Sequence, residues 1–439
     1  MGKNEFNFSF ILRALKYRNY RLFFSGQLIS LIGTWMQQIA LSWLVYRMTN
    51  SALMLGLVGF VGQIPTFLFS PFAGVLIDRF NKHRILVLTQ TLAMIQAFTL
   101  VILISTGSIS VYHILFLNFF LGIVNSFDAP TRQSFVVEMI ENKEDLGNAI
   151  ALNSMMFNSA RLIGPSIAGI LIAAVGESMC FLINGISYIA VIIALLAMKI
   201  NFKKSILEQK HILQELKEGW NYTLNFRPIK YLLLLIGLVS LMGTPYVVLM
   251  PVFAKEILHG GPHTLGFLVG SMGVGAFFGA MLLASRKNVV GLGRIIMRVT
   301  FLFGVTLILF SFSKNIFLSI ALLFIAGFAM MTQMASSNTI IQTIVEDSKR
   351  GRVMSFYTMS FMGTMPIGSL IAGILASKIG AINTVIIGGI CCIIGSLLFA
   401  SRFKEFRKAV RPIYTKMGIM PVIETGIDPS YDLKTPTQD

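Results

Sequence analysis

N-S-A-R-L-I-G-P-S-I-A-G, residues 158–169, lies inside an apolar run from about Ala149 to Val175. Its last residues open a pentapeptide, I-A-G-I-L at 167–171, that returns at 371–375. At the same offset Gly147 matches Gly351, Gly164 matches Gly368 and Gly176 matches Gly380. The chain is therefore built from two related halves, with this stretch and its twin at 362–373, M-G-T-M-P-I-G-S-L-I-A-G, in equivalent places. Within the twin, Met365 stands opposite Arg161 and Ser369 opposite Pro165. A guanidinium near the middle of a membrane-length apolar run costs at least about 2.5 kcal/mol on insertion, so Arg161 needs a reason to be there.

Working outward, apolar runs near the ~20 residues that cross a bilayer recur along the chain. They fall near 22–46, 53–77, 85–105, 110–132, 149–175, 179–198, 229–253, 264–285, 295–312, 316–341, 353–379 and 382–401. The 439 residues are 55% hydrophobic and only 13% charged, where a soluble domain carries about 25% charged. The expected fold is an all-α, polytopic membrane protein with two six-helix repeats. The expected segments are an N-terminal one (1–21), a first bundle (22–198), a linker (199–228), a second bundle (229–401) and a disordered tail (402–439). Within 199–230, Ile206, Leu207, Leu213, Leu216, Trp220 and Leu224 recur at helical spacing, which predicts an amphipathic surface helix.

Orientation follows from Lys and Arg. With both termini cytoplasmic, 31 of the 36 basic residues fall on the cytoplasmic side. Only Arg47, Lys255, Lys314 and Lys378 fall outside, and Arg161 within the membrane. The net charge of +17 is thus accounted for by anionic lipid on one membrane face and needs no nucleic acid. Cys180, Cys391 and Cys392 all lie in apolar runs and imply neither a disulfide framework nor a metal site. No phosphate-binding Gly-x-x-x-x-Gly-Lys-Ser/Thr loop and no metal or Ser-His constellation at one membrane depth is present. An ATP-driven pump and a membrane enzyme are therefore disfavoured, and no cofactor or metal is expected. No cleavable signal is evident at the N-terminus.

The loop after the second run reads G-V-L-I-D-R-F-N-K-H-R at 74–84. It resembles the loop signature of the major facilitator superfamily through Gly74, Leu76, Asp78, Arg79, Lys82 and Arg84. Asn81 replaces the usual second glycine, and asparagine is the other residue that tolerates a left-handed backbone. The resemblance implies that Asp78 caps the eleventh helix near Gly351–Arg352 and locks a cytoplasmic gate. D-A-P-T-R-Q-S-F at 128–135 and N-S-x-x-x-N-S-A-R-L-I-G-P at 153–165 are similar to the branch holding enterobactin (siderophore) exporters and macrolide efflux pumps. Gly33, Trp35, Met36, Gln38, Ala40 and Trp43 in the first run add to it. The resemblance covers roughly residues 12–400. It implies alternating-access export of a small organic molecule, siderophore-like or otherwise amphipathic, by proton antiport from the bacterial inner membrane, with the chain acting as a monomer. Multidrug or macrolide efflux is the alternative, and an importer or lipid flippase of the same fold a further one.

Gly164, Pro165 and Gly169 approximate the fifth-helix antiporter motif Gly-Pro-x-x-Gly-Gly, with Ala168-Gly169 in place of the final glycine pair. Small residues there allow close packing against a neighbouring helix, with or without an exporter meaning. Asp128 and Arg132 are four apart on one helix face and can pair, as a structural or gating element; Arg132 is also a candidate partner for Asp78. In this superfamily the first, fourth, seventh and tenth helices line the cavity, which adds Trp35, Gln38, Asn118, Tyr246, Gln333 and Asn338 to Arg161 as cavity candidates. No Asp or Glu lies deep in any run, so a proton carrier is implied by the family and by no residue in the sequence. An unneutralised Arg161 leans toward an anionic ligand.

Overall fold

The computed structural model describes residues 12–199, 223, 225–286, 288–346 and 349–419. Among the described residues, twelve helices are long and apolar enough to cross a membrane. They are α1 (Arg18–Thr49), α2 (Ala52–Arg79), α3 (Lys82–Ser105), α4 (Val111–Val136), α5 (Leu146–Val175) and α6 (Glu177–Leu196), then α7 (Arg227–Ile257), α8 (Pro262–Ala284), α9 (Leu292–Phe312), α10 (Ile316–Ile344), α11 (Arg350–Ile379) and α12 (Ala381–Ser401). Residues 12–17 and 402–419 and the described parts of the 80–81, 137–145, 285–291 and 345–349 connections share one end of the bundle, the terminal face. The 50–51, 106–110, 176, 258–261, 313–315 and 380 connections form the opposite face.

Hydropathy makes the spans, and local chemistry trims them. Ser110 caps α4 by accepting from the His113 amide, and Asn315 caps α10 by accepting from the Phe317 and Leu318 amides. Gly176 and Gly380, equivalent in the two halves, end α5 and α11 with the same φ of 86°. A side chain is strained there, so both helix stops depend on glycine.

The halves repeat in packing as well. In the first, α2 lies on α4 and α3 on α6; in the second, α8 lies on α10 and α9 on α12. Across the halves, α5 packs on α8 and α2 on α11. The largest buried apolar cluster runs through both, with Leu55, Ala168, Leu265 and Ala372 among its members. Regularity is not shared. The span α7 passes through π-helical turns at Val239–Gly243 and Phe253–Ile257 with a 3-10 stretch between, and α11 has one at Met359–Gly363. Their counterparts α1 and α5 are unbroken α-helices.

Two expectations are corrected. Asn81 has φ −69°, not a left-handed value; its side chain accepts from the Arg84 amide and caps α3. Asparagine stands here as a helix N-cap, where it performs better than glycine. The tail does not run disordered from residue 402: Phe403–Lys416 forms a further helix, α13, with Pro412 inside it. Phe406, Val410 and Tyr414 recur every fourth residue and are buried on the terminal face of the second half, which supplies the packing that composition alone hides. The proposed surface helix over 206–224 lies outside the described residues, apart from Thr223.

Candidate functional site: a central arginine beneath a sealed face

Arg161 sits one helical turn before Gly164 in α5. Its guanidinium carbon is 5.7 Å from the centroid of the Trp35 ring on α1. That ring in turn meets Phe157 edge-on at 5.9 Å. Arg161 is half-buried, and a cation over an indole gains about 0.5–2 kcal/mol, less than the cost of an unpaired charge at the middle of a span. Among the described residues Arg161 has no carboxylate and no side-chain hydrogen bond. Tyr246 of α7 is close enough to feel its charge, and the buried Tyr246 hydroxyl has no hydrogen-bond partner. On α10, Gln333 is buried with both amide atoms unpartnered, and the Ser336 hydroxyl is in the same condition. Buried polar groups are nearly always satisfied, so Tyr246, Gln333 and Ser336 stand out as exceptions among the described residues.

The other cavity candidates divide. Gln38 is exposed one turn from Trp35, on the same face of α1. Its neighbour Gln37 is instead committed to the first half, bonded to Gln96 at 3.0 Å and Asn184 at 2.7 Å. Asn118 donates to the Val58 carbonyl at 2.8 Å and lies against Gly62, fastening α4 to α2. Asn338 accepts from Gln342 at 2.6 Å and lines a recess of about 430 Å³ with Gln342 and Arg350, nearer the terminal face than Gln333 is.

Gly164, Pro165 and Gly169 have separate duties. A Cβ on Gly164 would lie 2.6 Å from the Trp35 Cβ and 3.0 Å from the Ile32 carbonyl, so Gly164 seats α5 on α1 of its own half. A Cβ on Gly169 would lie 2.9 Å from the Gly266 Cα and 2.8 Å from the Pro262 carbonyl, in the other half. The twin does the same: one on Gly373 would lie 2.8 Å from the Gly56 Cα and 2.9 Å from the Ala52 carbonyl. The carbonyls of Pro165 and Ser369 approach Gly266 and Gly56 equivalently, at 2.7 and 2.5 Å from the built Cβ positions. Two pseudo-equivalent glycine crossings thus close the opposite face. Sequence reading missed Gly56 and Gly266; each is the fifth residue of its helix and follows a leucine, Leu55-Gly56 and Leu265-Gly266, which is the signal available.

Side chains add to this closure. The Tyr46 hydroxyl of α1 bonds the Glu256 carboxylate of α7. Lys255 donates to Asn50 at 2.7 Å and lies 5.5 Å from the Tyr46 ring centroid. Between described side chains these are the bonds that join the halves, and both are at the opposite face. The Arg47–Glu177 pair, 2.7 Å, braces the same face within the first half.

At the terminal face, Asp128 is buried and accepts from Thr89 at 2.9 Å and Gln90 at 2.7 Å, with Arg132 at 3.6 Å. Arg132 also donates to Gln27 at 3.0 Å. The pair therefore knits α1, α3 and α4 of one half. Arg84 is exposed, and Lys82 pairs with Glu138 at 2.8 Å. The side chains of Gly74, Asp78 and Arg79 lie outside the described residues, and with them the expected contact to Gly351–Arg352. Asp145 joins the N-terminal turn to the foot of α5 through Lys16 at 2.7 Å, Arg13 at 3.1 Å and the Tyr17 hydroxyl at 2.7 Å. The Lys16 and Tyr17 bonds hold its carboxyl below the usual range, and the Lys16 ammonium is raised by the same contact.

Two six-helix repeats of membrane-spanning helices, joined at one face by paired glycine crossings and by the Tyr46–Glu256 bond, are the architecture of a multi-pass membrane transporter. The chain belongs to the transmembrane secretion effector family of the major facilitator superfamily, whose profile it matches over residues 11–415. It is 27% identical to the staphyloferrin A transporter of Staphylococcus aureus, over 86% of this chain and 95% of that protein. It is 22% identical to macrolide efflux protein A of Streptococcus pyogenes, over 86% and 96% respectively. Its fold matches a crystal structure of a POT family transporter with a TM-score of 0.72 at 13% identity, covering 89% of this chain and 96% of that one.

Proposed function

We propose that this protein is a secondary active exporter that moves an anionic, siderophore-like small molecule out of the bacterial cytoplasm by alternating access, driven by proton antiport. The observation that carries the reading is Arg161: a mid-span guanidinium 5.7 Å from the Trp35 ring centroid, unmatched by Met365 in the repeat and unpaired among the described residues. A carboxylate- or catecholate-bearing cargo would supply the missing counter-charge through bidentate hydrogen bonds. Tyr246, Gln333 and Ser336 would contribute donors and acceptors now unpartnered, and Trp35, Phe157 and Gln38 a wall for the organic body. The naming of the similar staphyloferrin A transporter supports the same cargo class. The excess of basic residues at the terminal face supports cytoplasmic termini, which would make the sealed face external and the opposite state the releasing one. Asp78, Arg79, Arg84, Asp128 and Arg132 then belong to the cytoplasmic gate, and the chain works as a monomer in the inner membrane.

Comparing siderophore in cells and medium under iron limitation, with and without this protein, tests the reading. Siderophore retained inside cells that lack it supports the proposal; unchanged siderophore with altered macrolide sensitivity overturns it. That second outcome is the efflux reading, favoured by the similarity to macrolide efflux protein A and by the exposed Met155, Phe157, Met359 and Met362 along α5 and α11. Vesicle transport after a pH jump separates export from import or lipid flipping.

A further inference from the structure

At the terminal face of the second half, α13 turns back beneath the bundle. Phe403 and Phe406 rest where α9 begins, and they fit because residue 293 is glycine: a Cβ there would lie 2.9 Å from one ring and 3.1 Å from the other. Beside this contact the helices leave a recess of about 160 Å³, roughly half the ~300 Å³ at which metabolite-sized pockets begin. Its apolar floor includes Val289, Ile340 and Val410, and three arginines line it: Arg294 from α9, Arg407 and Arg411 from α13.

None of these three guanidinium groups has a hydrogen bond or ion pair to a described side chain. The one carboxylate of α13, Glu405, is taken by Arg402 at 3.2 Å, Arg227 at 3.7 Å and the Tyr231 hydroxyl at 3.0 Å. Three like charges line one small recess, with Arg294 and Arg407 solvent-exposed, so an anion entering it meets all three at once. Arginine forks match phosphate oxygens in geometry as well as charge. The depth is informative too. α12 ends at Ser401 and α9 begins at Leu292, so the recess lies at the level where hydrocarbon gives way to headgroups. A soluble anion would need no apolar floor.

We propose that this recess binds the phosphate headgroup of an anionic membrane lipid, with Arg294, Arg407 and Arg411 as its ligands and the acyl chains running up the outside of α9 and α12. The bound lipid holds α13 against the bundle. This site is separate from the central one and independent of the cargo assigned above.

The test uses full-length protein, delipidated in detergent, with thermal unfolding and native mass spectrometry as readouts. Phosphatidylglycerol should raise the unfolding midpoint by several degrees and leave a retained lipid, whereas phosphatidylcholine and inorganic phosphate at matched concentration should not. The Arg407→Ala/Arg411→Ala pair should lose the shift and the retained lipid, while Lys404→Ala/Lys408→Ala, on the same helix but outside the recess, should keep both. Should the arginine pair fail to fold, Arg294→Gln on α9 carries the same expectation. Equal shifts with phosphatidylcholine, a full shift with inorganic phosphate alone, or undiminished lipid retention in the arginine variants would overturn the proposal.

Discussion

Helices α5 and α11 are repeats in length, in their glycine stops and in the glycine crossings they make with the other half. Two of their differences bear on function. Arg161 in α5 stands where α11 has Met365, and the π-helical turn at Met359–Gly363 in α11 has no counterpart in α5. What the repeats share closes the protein at one face; what they do not share gives one half a charge and the other a distortible helix. π-turns inside α-helices are frequent at functional positions, and here they fall in α7 and α11 of the half without a mid-span arginine. Under the proposed function this is a division of labour: the first half would hold the cargo's charge, and the second would bend around its body.

The largest effects should come from breaking what is shared. Gly169→Leu and Gly373→Leu each force a side chain into the backbone of the crossing helix. Overpacking of this kind costs about 1–3 kcal/mol, and it falls on the sealed state alone. Each should cut transport by about tenfold or more and raise cysteine labelling at the opposite face, and the two should agree within a few-fold. A large effect from one with none from the other would break the symmetry.

Loss of the Glu256 carboxylate comes next. Glu256→Ala removes the bond to Tyr46 but leaves the glycine crossings, so labelling at the same face should rise by only a few-fold, about 1 kcal/mol for one hydrogen bond. An effect as large as that of Gly169→Leu would move the seal from backbone to side chains. Arg161→Lys sharpens the other side of the comparison. A lysine keeps the charge and loses the guanidinium fork, so cargo affinity should fall partway and transport should persist.

The smallest effect is expected at Asp145. Its carboxyl is held low by Lys16 and Tyr17, so its contribution is present above the ordinary carboxylate range and fades as pH falls through the lowered value. Lys16, raised by the same contact, keeps its share until pH climbs through its raised value. Asp145→Asn should therefore loosen residues 13–17, seen as faster hydrogen exchange there between those limits, with transport unchanged.

Much of this was legible in the sequence because hydrocarbon is a demanding solvent. Twelve apolar runs predicted twelve spans to within a few residues, and I-A-G-I-L exposed the duplication. Arg161 was visible as a charge in the wrong solvent. What stayed hidden depends on partners distant in sequence. Gly169 announced a close approach, but nothing local says that Gly266 receives it. Tyr46 and Glu256 read as ordinary span ends until folding brings them together. Gln37 and Gln38 are adjacent in sequence, and only packing shows that one is spent inside the first half while the other is exposed. The tail misled because α13 earns its order from Phe403, Phe406, Val410 and Tyr414 against the bundle, within a segment whose average composition is polar.

The most direct test of the central claim is equilibrium binding of an anionic siderophore to purified protein and to Arg161→Ala, alongside Met365→Ala as the matched control. Loss of charge-assisted hydrogen bonds worth about 1.5–3 kcal/mol should weaken binding more than tenfold in Arg161→Ala and leave the Met365 variant within a few-fold of the original. Equal affinity in all three would contradict the assignment of Arg161 as the anchor.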